Sequence, residues 1–168
     1  MSSKLSFSVV PLKEVAKEDV VFLPKKDAPV ILIVDDEKVI ADTLSIILTH
    51  AGFITMTAYD GVTALQMANS ITPDLLLTDV VMPGLSGVEL AIMLTQSIPN
   101  LKVLLFSGQA STVDLLDKAR HSGHHFTALT KPVHPTDMLR RISECLAVPG
   151  PIAATTDQKS QAASPVAN

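Results

Sequence analysis

From residue 30 onward, short runs of apolar and β-branched residues alternate with longer stretches in which apolar residues recur every three or four positions. VILIV (30–34) is apolar throughout, and Ile40, Leu44, Ile47 and Leu48 follow at helical spacing as far as Gly52, a natural C-cap. ITMTA (54–58) predicts a second strand. Asp60 stands where it caps a short helix carrying Leu65 and Ala68, and Pro73 stops that helix. DLLLTD (74–79) predicts the third strand. Ser86 and Glu89 have the S-x-x-E spacing of a capping box, opening a helix with Val88, Ala91 and Ile92 on its inner face and Pro99 at its close. KVLLFS (102–107) predicts the fourth strand, and Val113, Leu116 and Ala119 mark a helix that reaches His121 and Gly123. FTALT (126–130) predicts the fifth. Pro135 suits the first turn of a last helix whose Leu139, Ile142 and Leu146 face inward.

Five β-then-α units with apolar strands predict an α/β fold, a parallel sheet covered by helices on both faces, because right-handed crossovers place successive helices that way. The domain should span residues 30–147. Residues 1–29 stand outside the alternation, yet Phe7, Val9, Val10 and the run Val20 to Leu23 are too apolar for a purely solvated arm. They pack on the domain or on a partner; the residues do not decide between the two. Residues 148–168, rich in Pro, Ala, Ser and Thr without periodicity, predict a flexible tail.

Composition narrows the function classes. With 168 residues, 47% hydrophobic, the chain suits one domain with appendages. A net charge of -4 with scattered Lys and Arg gives no footprint for nucleic acid. No stretch reaches the roughly 18 apolar residues of a membrane span, and the N-terminus lacks a secretory h-region, so a cytoplasmic protein is expected. Cys145 is the only cysteine, which excludes an internal disulfide; a buried helix face is its expected place.

In parallel α/β sheets, ligands bind beyond the carboxyl ends of the strands. There the pattern sets Asp35 and Asp36 after the first strand, Asp79 after the third, Ser107 at the end of the fourth and Lys131 with Pro132 after the fifth. Carboxylates brought together repel, so they carry raised pKa values or hold a hard cation. Oxygen ligands suit Mg²⁺. A carboxylate beside a dication and a lysine is set up to attack phosphorus and become an acyl phosphate, which a nearby hydroxyl such as that of Ser107 can then sense.

These residues resemble the receiver domain of bacterial two-component response regulators. The resemblance is carried by VDDE (34–37), LLLTDVVMPGLSG (75–87), LLFSG (104–108) and TKP (130–132), in that order, across about residues 29–147. It implies a flavodoxin-like doubly wound sheet of strand order 2-1-3-4-5. It implies Asp79 as phosphoacceptor, Asp36 as direct Mg²⁺ ligand, Asp35 holding the metal through water, and the Val81 carbonyl completing the shell, with Mn²⁺ as a substitute. Ser107 takes the place of the hydroxyl switch and Lys131 that of the phosphate-pairing lysine. Val81 and Gln109 stand where family members tune the lifetime of the acyl phosphate. The resemblance further implies a sensor histidine kinase or histidine phosphotransfer protein as donor and a downstream protein as target, and it allows a homodimer. One departure is that Ala128 occupies the family's aromatic switch position, with Phe126 as the nearest substitute.

The expected activity is therefore phosphorylation-dependent switching of protein contacts by a stand-alone receiver, or a relay or phosphate sink, without a separate enzymatic domain. A haloacid dehalogenase-type phosphatase would need an acid two residues after the nucleophile, where Val81 stands, and a dinucleotide domain would need a glycine-rich loop after VILIV. A degenerate receiver that binds partners without phosphorylation is disfavoured by the intact Asp35, Asp36, Asp79 and Lys131. Paired aspartates also serve as plain helix caps. His121, His124 and His125 straddle a helix end, where dipole-capping histidines are common. Leu90, Met93 and Leu94 add apolar bulk outside the inner face of their helix, in the manner of a crowded core.

Overall fold

The computed structural model describes residues 27–108 and 112–147, with Thr112 described by its backbone alone. Gln109, and the segments expected as an N-terminal extension up to residue 26 and as a tail from 148, lie outside the described residues. Five strands alternate with five helices: β1 (Val30–Val34), α1 (Lys38–His50), β2 (Ile54–Ala58), α2 (Gly61–Ser70), β3 (Leu75–Asp79), α3 (Gly87–Ser97), β4 (Lys102–Ser107), α4 (Thr112–His121), β5 (Thr127–Thr130) and α5 (Pro135–Ala147). All ladders are parallel and the strand order is β2-β1-β3-β4-β5. Order reverses at β1, so β1 and β3 flank the point where the open ends of the strands leave a crevice.

Alternation along the strands divides the core in two. Leu32, Val34, Leu76 and Leu105 face α2, α3 and α4, packing with Ala64, Val88, Ala91, Leu94 and Ala119. Ile31, Ile33, Leu75, Leu77, Leu104 and Phe106 face α1 and α5, packing with Ala41, Leu48, Met138 and Ile142. Strands β1, β3 and β4 are thus apolar on both sides because both sides are covered.

Local signals place the elements. The Asp60 side chain accepts the Thr63 amide at 2.7 Å and caps α2. Ser86 and Glu89 form the capping box at the start of α3, in which Ser86 Oγ accepts the Glu89 amide and Glu89 Oε2 accepts the Ser86 amide. The N-cap of α1 is Glu37, without a side-chain cap bond, so neither Asp35 nor Asp36 is the capping residue of that helix.

Four expectations shift. β3 begins at Leu75; just before it the Asp74 amide donates to the Val30 carbonyl at 2.8 Å, its carbonyl accepts the Lys102 amide at 3.0 Å, and its carboxylate accepts the Val30 amide at 2.7 Å, tying together the starts of β1, β3 and β4. β5 begins at Thr127 and is exposed at Thr127, Ala128 and Thr130; as an edge strand it is not covered on both faces. Val113 is 58% exposed, and α4 turns Leu115, Leu116 and Ala119 inward, a helical phase that excludes it. Leu90 and Leu94 are buried in the crowded core expected of them, whereas Met93 is exposed. Cys145 is half-buried on the α5 face, and burial pushes its thiol pKa up. Among the described residues, no helix is long and apolar enough to cross a membrane.

Candidate functional site

Three strand ends converge where the topology opens. Asp35 follows β1, Asp79 ends β3, and Lys131 follows β5 across the end of β4. Lys131 Nζ lies 2.9 Å from Asp35 Oδ2 and 3.2 Å from Asp79 Oδ1, so one ammonium bridges two carboxylates. The other Asp35 oxygen accepts the Glu37 amide at 2.9 Å. Asp35 is buried and has both oxygens engaged.

The backbone around Asp79 is held from two sides. The Val80 amide donates to the Phe106 carbonyl at 2.9 Å, and the Thr78 hydroxyl donates to the Asp79 carbonyl at 3.0 Å. The Val80 carbonyl accepts the Gly87 amide at 3.1 Å, which brings the start of α3 against Asp79. A Cβ at Gly87 would overlap the Asp79 carbonyl oxygen, so only glycine permits this approach. Lys131 is anchored in turn by its amide, which donates to the Ser107 carbonyl at 2.6 Å. The Lys131–Pro132 peptide is cis.

Burial pushes the Asp79 carboxyl pKa up; the charge and hydrogen bond of Lys131 pull it down without overcoming this, and the Asp35 charge adds to the rise. For Lys131 burial pulls downward, but the hydrogen bond and charge of Asp35, then those of Asp79, outweigh it and the ammonium is favoured. Lys131 stands closer to Asp35 than to Asp79, and its charge does not fully offset the burial of the Asp79 carboxylate.

A cleft of about 110 Å³ opens beside Asp79 and Lys131, lined also by Glu37, Val81 and Gly108. Val81 is 40% exposed, Asp36 is exposed, and Ser107 is buried at the end of β4. Among the described residues no three His, Cys, Asp or Glu side chains are grouped to hold a metal by themselves. The donor set nevertheless fits a hard dication that takes few protein ligands: Asp79, Glu37 on the cleft wall or the neighbouring exposed Asp36, and the Val81 carbonyl, with water and a phosphoryl oxygen for the remaining positions. Asp35 already accepts the Lys131 ammonium and the Glu37 amide and is not among the residues lining the cleft.

Sequence reasoning missed three residues. Glu37 stands in the acidic run but lines the cleft, whereas the more obvious Asp36 is exposed and is not among the lining residues. Gly87 was legible as a helix start, not as the residue that clears the Asp79 carbonyl. Phe106, the register partner of Asp79, has its ring 5.6 Å below Lys131 Nζ, a cross-strand relation that no local signal announces.

The structure does not bring Phe126 to this site. It precedes β5, stacks on His124 with ring centroids 5.8 Å apart and packs against the α3–α4 side of the core. Ser107 pairs with Thr130, four residues on, a separation of roughly 13 Å at strand rise. Of the other two histidines, His121 pairs its Nδ1 with the Asp117 carbonyl at 2.7 Å and His125 lines a groove with Lys102 and Cys145.

Comparison with known proteins bears on this geometry. A family model described as the response regulator receiver domain matches residues 31–143. The uncharacterized transcriptional regulatory protein YrkP of Bacillus subtilis is 34% identical over 112 residues, 67% of this chain and 47% of that protein. The DNA-binding response regulator MtrA of Mycobacterium tuberculosis is 29% identical over 112 residues, 67% of this chain and 48% of its own. The chain therefore spans about half the length of the curated relatives it matches. The receiver domain of an HD domain-containing protein from Pseudomonas fluorescens superposes with a TM-score of 0.66 at 28% identity, covering 71% of this chain and 94% of that one. A CheY-like receiver from Methanospirillum hungatei superposes with a TM-score of 0.63 at 27% identity, with the same two coverages. Its matched segment, strand order and structural likeness agree, and the chain belongs to the response regulator receiver domain family.

Proposed function

We propose that Asp79 accepts a phosphoryl group from a phosphohistidine, on a sensor histidine kinase or a histidine phosphotransfer protein, and that the acyl phosphate switches contact with a downstream protein. The single observation that carries the reading is the Lys131 ammonium shared between Asp35 and Asp79 at the mouth of a small cleft. A carboxylate that burial has left short of compensation is a competent nucleophile once positive charge approaches, and its product needs the same lysine. In the transfer an Asp79 oxygen bonds to phosphorus, the N–P bond breaks, and its electron pair leaves with the imidazole nitrogen, which takes a proton from solvent.

Each residue has a task in that step. Lys131 offsets charge on the phosphoryl oxygens, and Asp35 keeps it aimed at Asp79 beforehand. Asp36, Asp79 and the Val81 carbonyl are the proposed metal ligands, with Asp35 acting through water. Mg²⁺, or Mn²⁺ in its place, would neutralise the phosphoryl oxygens as they approach the carboxylate. The apolar Val81 side chain at the cleft cannot orient an attacking water, which favours a long-lived acyl phosphate and makes self-dephosphorylation slow. Ser107, buried at the end of β4 and tied through its carbonyl to the Lys131 amide, is the proposed sensor of the new phosphoryl oxygen. On this reading the protein works in the cytoplasm, and its output is a protein contact.

The test is the intact mass of the full chain after exposure to a small phosphodonor with Mg²⁺. Wild type gains one phosphate and Asp79→Asn gains none. An adduct that persists in Asp79→Asn, or none in wild type with donor or kinase, overturns the assignment.

A further inference from the structure

We infer that Phe106 is a positioning residue for Lys131, its ring forming the floor on which the ammonium rests between Asp35 and Asp79. The inference rests on the function proposed above for Lys131. Three observations carry it. Lys131 Nζ stands 5.6 Å from the Phe106 ring centroid, within the range in which a ring face attracts a cation. Phe106 is also the register partner of Asp79, and its carbonyl accepts the amide of the next residue, Val80. Phe106 is 7% exposed and belongs to the core cluster of Leu104, Met138 and Ile142, so it is itself held in place.

One residue thus grips the acceptor through its backbone and the lysine through its side chain. The physical need is specific. A lysine on four flexible carbons, pulled by two carboxylates, must leave Asp79 for a phosphoryl oxygen when the transfer occurs. A third carboxylate would hold it too tightly and would repel phosphate. A ring face attracts the ammonium without adding negative charge, so it orients Lys131 without competing as a further carboxylate would when the lysine turns to a phosphoryl oxygen. The exposed Ala128 places no ring on the β5 side, which leaves Phe106 as the aromatic in contact with the lysine among the described residues.

Two measurements on the full chain test this. In the first, the titration of the Lys131 ammonium is followed by NMR of ¹³C-labelled lysine without donor or metal. Phe106→Leu, which removes the ring but keeps apolar bulk, makes Lys131 lose its proton at lower pH, and Phe106→Met gives the same result should the leucine variant fold poorly. An unchanged titration in a folded variant overturns the inference. In the second, phosphorylation by acetyl phosphate with Mg²⁺ slows about fivefold in Phe106→Leu, and the ring-bearing Phe106→Tyr recovers the rate. In a Lys131→Ala background the same Phe106→Leu change makes no further difference, since its effect passes through the lysine. An equal slowing in both backgrounds would mean a packing effect and overturn the inference. Failure of wild type to take up phosphate defeats the proposed function instead, while the titration still decides the role of Phe106.

Discussion

Asp79 shows how burial sets a single carboxylate against the stability of the fold. Its pKa is raised, which means that the fold disfavours the ionised form. For an acid shifted upward, the protonated state is the better accommodated one, so this group's contribution to stability is present below its ordinary value near 3.8 and is lost as pH rises through the folded value. Replacing it with a neutral isostere removes that loss. Asp79→Asn without metal is therefore expected to melt above wild type at pH 7, with the gap closing as pH falls toward 4, in thermal scans across that range. Lys131 works in the opposite sense over another window: its pKa is raised, so the ammonium contributes throughout neutral pH and its contribution fades only above about 10.5. A wild type more stable than Asp79→Asn at pH 7 without metal would show that Lys131 compensates the burial fully. Gly87 is the other residue whose backbone decides the site. Gly87→Ala pushes a methyl group into the Asp79 carbonyl and is expected to cost about 1–3 kcal/mol, read as a lower denaturant midpoint, along with slower phosphorylation.

At the scale of elements, what was legible in the sequence was whatever rests on local chemistry. The apolar runs of β1, β2 and β4, the Asp60 cap, the Ser86–Glu89 box and Pro135 at the start of α5 stand where the pattern placed them, because each is decided by residues within one turn or one strand. Asp35, Asp79 and Lys131 were found together because strand ends in a parallel sheet meet by topology. What failed depended on neighbours distant in sequence. Asp74 spends its carboxylate on the Val30 amide 44 residues away, Val113 turns outward with the phase of α4, and Phe126 belongs to the opposite end of β5 from Ser107. Two predictions follow at this scale. Ser86→Ala removes one half of the capping box and is expected to cost about 1 kcal/mol, a fall in Tm of about 4 °C for a domain of this size. Phe126→Leu should lower Tm through lost packing while leaving phosphate-dependent partner binding as it was, whereas Ser107→Ala should keep phosphorylation and weaken that binding. A pull-down with and without phosphodonor separates the two.

For the whole molecule, the sheet makes the acidic cleft a point of leverage on global stability. Its residues come from the ends of β1 and β3 and the loop after β5, and these strands carry the side chains of both core clusters. An ion that binds only the folded arrangement therefore stabilises the domain as a unit, by about 2.7 kcal/mol at 100 times its Kd. Wild type is expected to melt higher in saturating Mg²⁺, with the gain reversed by chelator and absent from Asp79→Asn, so that the metal-free ranking of these two proteins inverts. The rim acids distinguish two arrangements of the ion. Asp36 is exposed and the family resemblance assigns it to the metal, while Glu37 lines the cleft itself. If the ion draws Asp36 inward, Asp36→Asn abolishes the Mg²⁺-dependent gain and Glu37→Gln leaves most of it. The converse result would transfer the ligand role to Glu37 and explain why the cleft is already lined by that carboxylate before any ion arrives. Asp35→Asn should weaken the gain without abolishing it, since both Asp35 oxygens already have partners in Lys131 and the Glu37 amide and its proposed hold on the ion is through water.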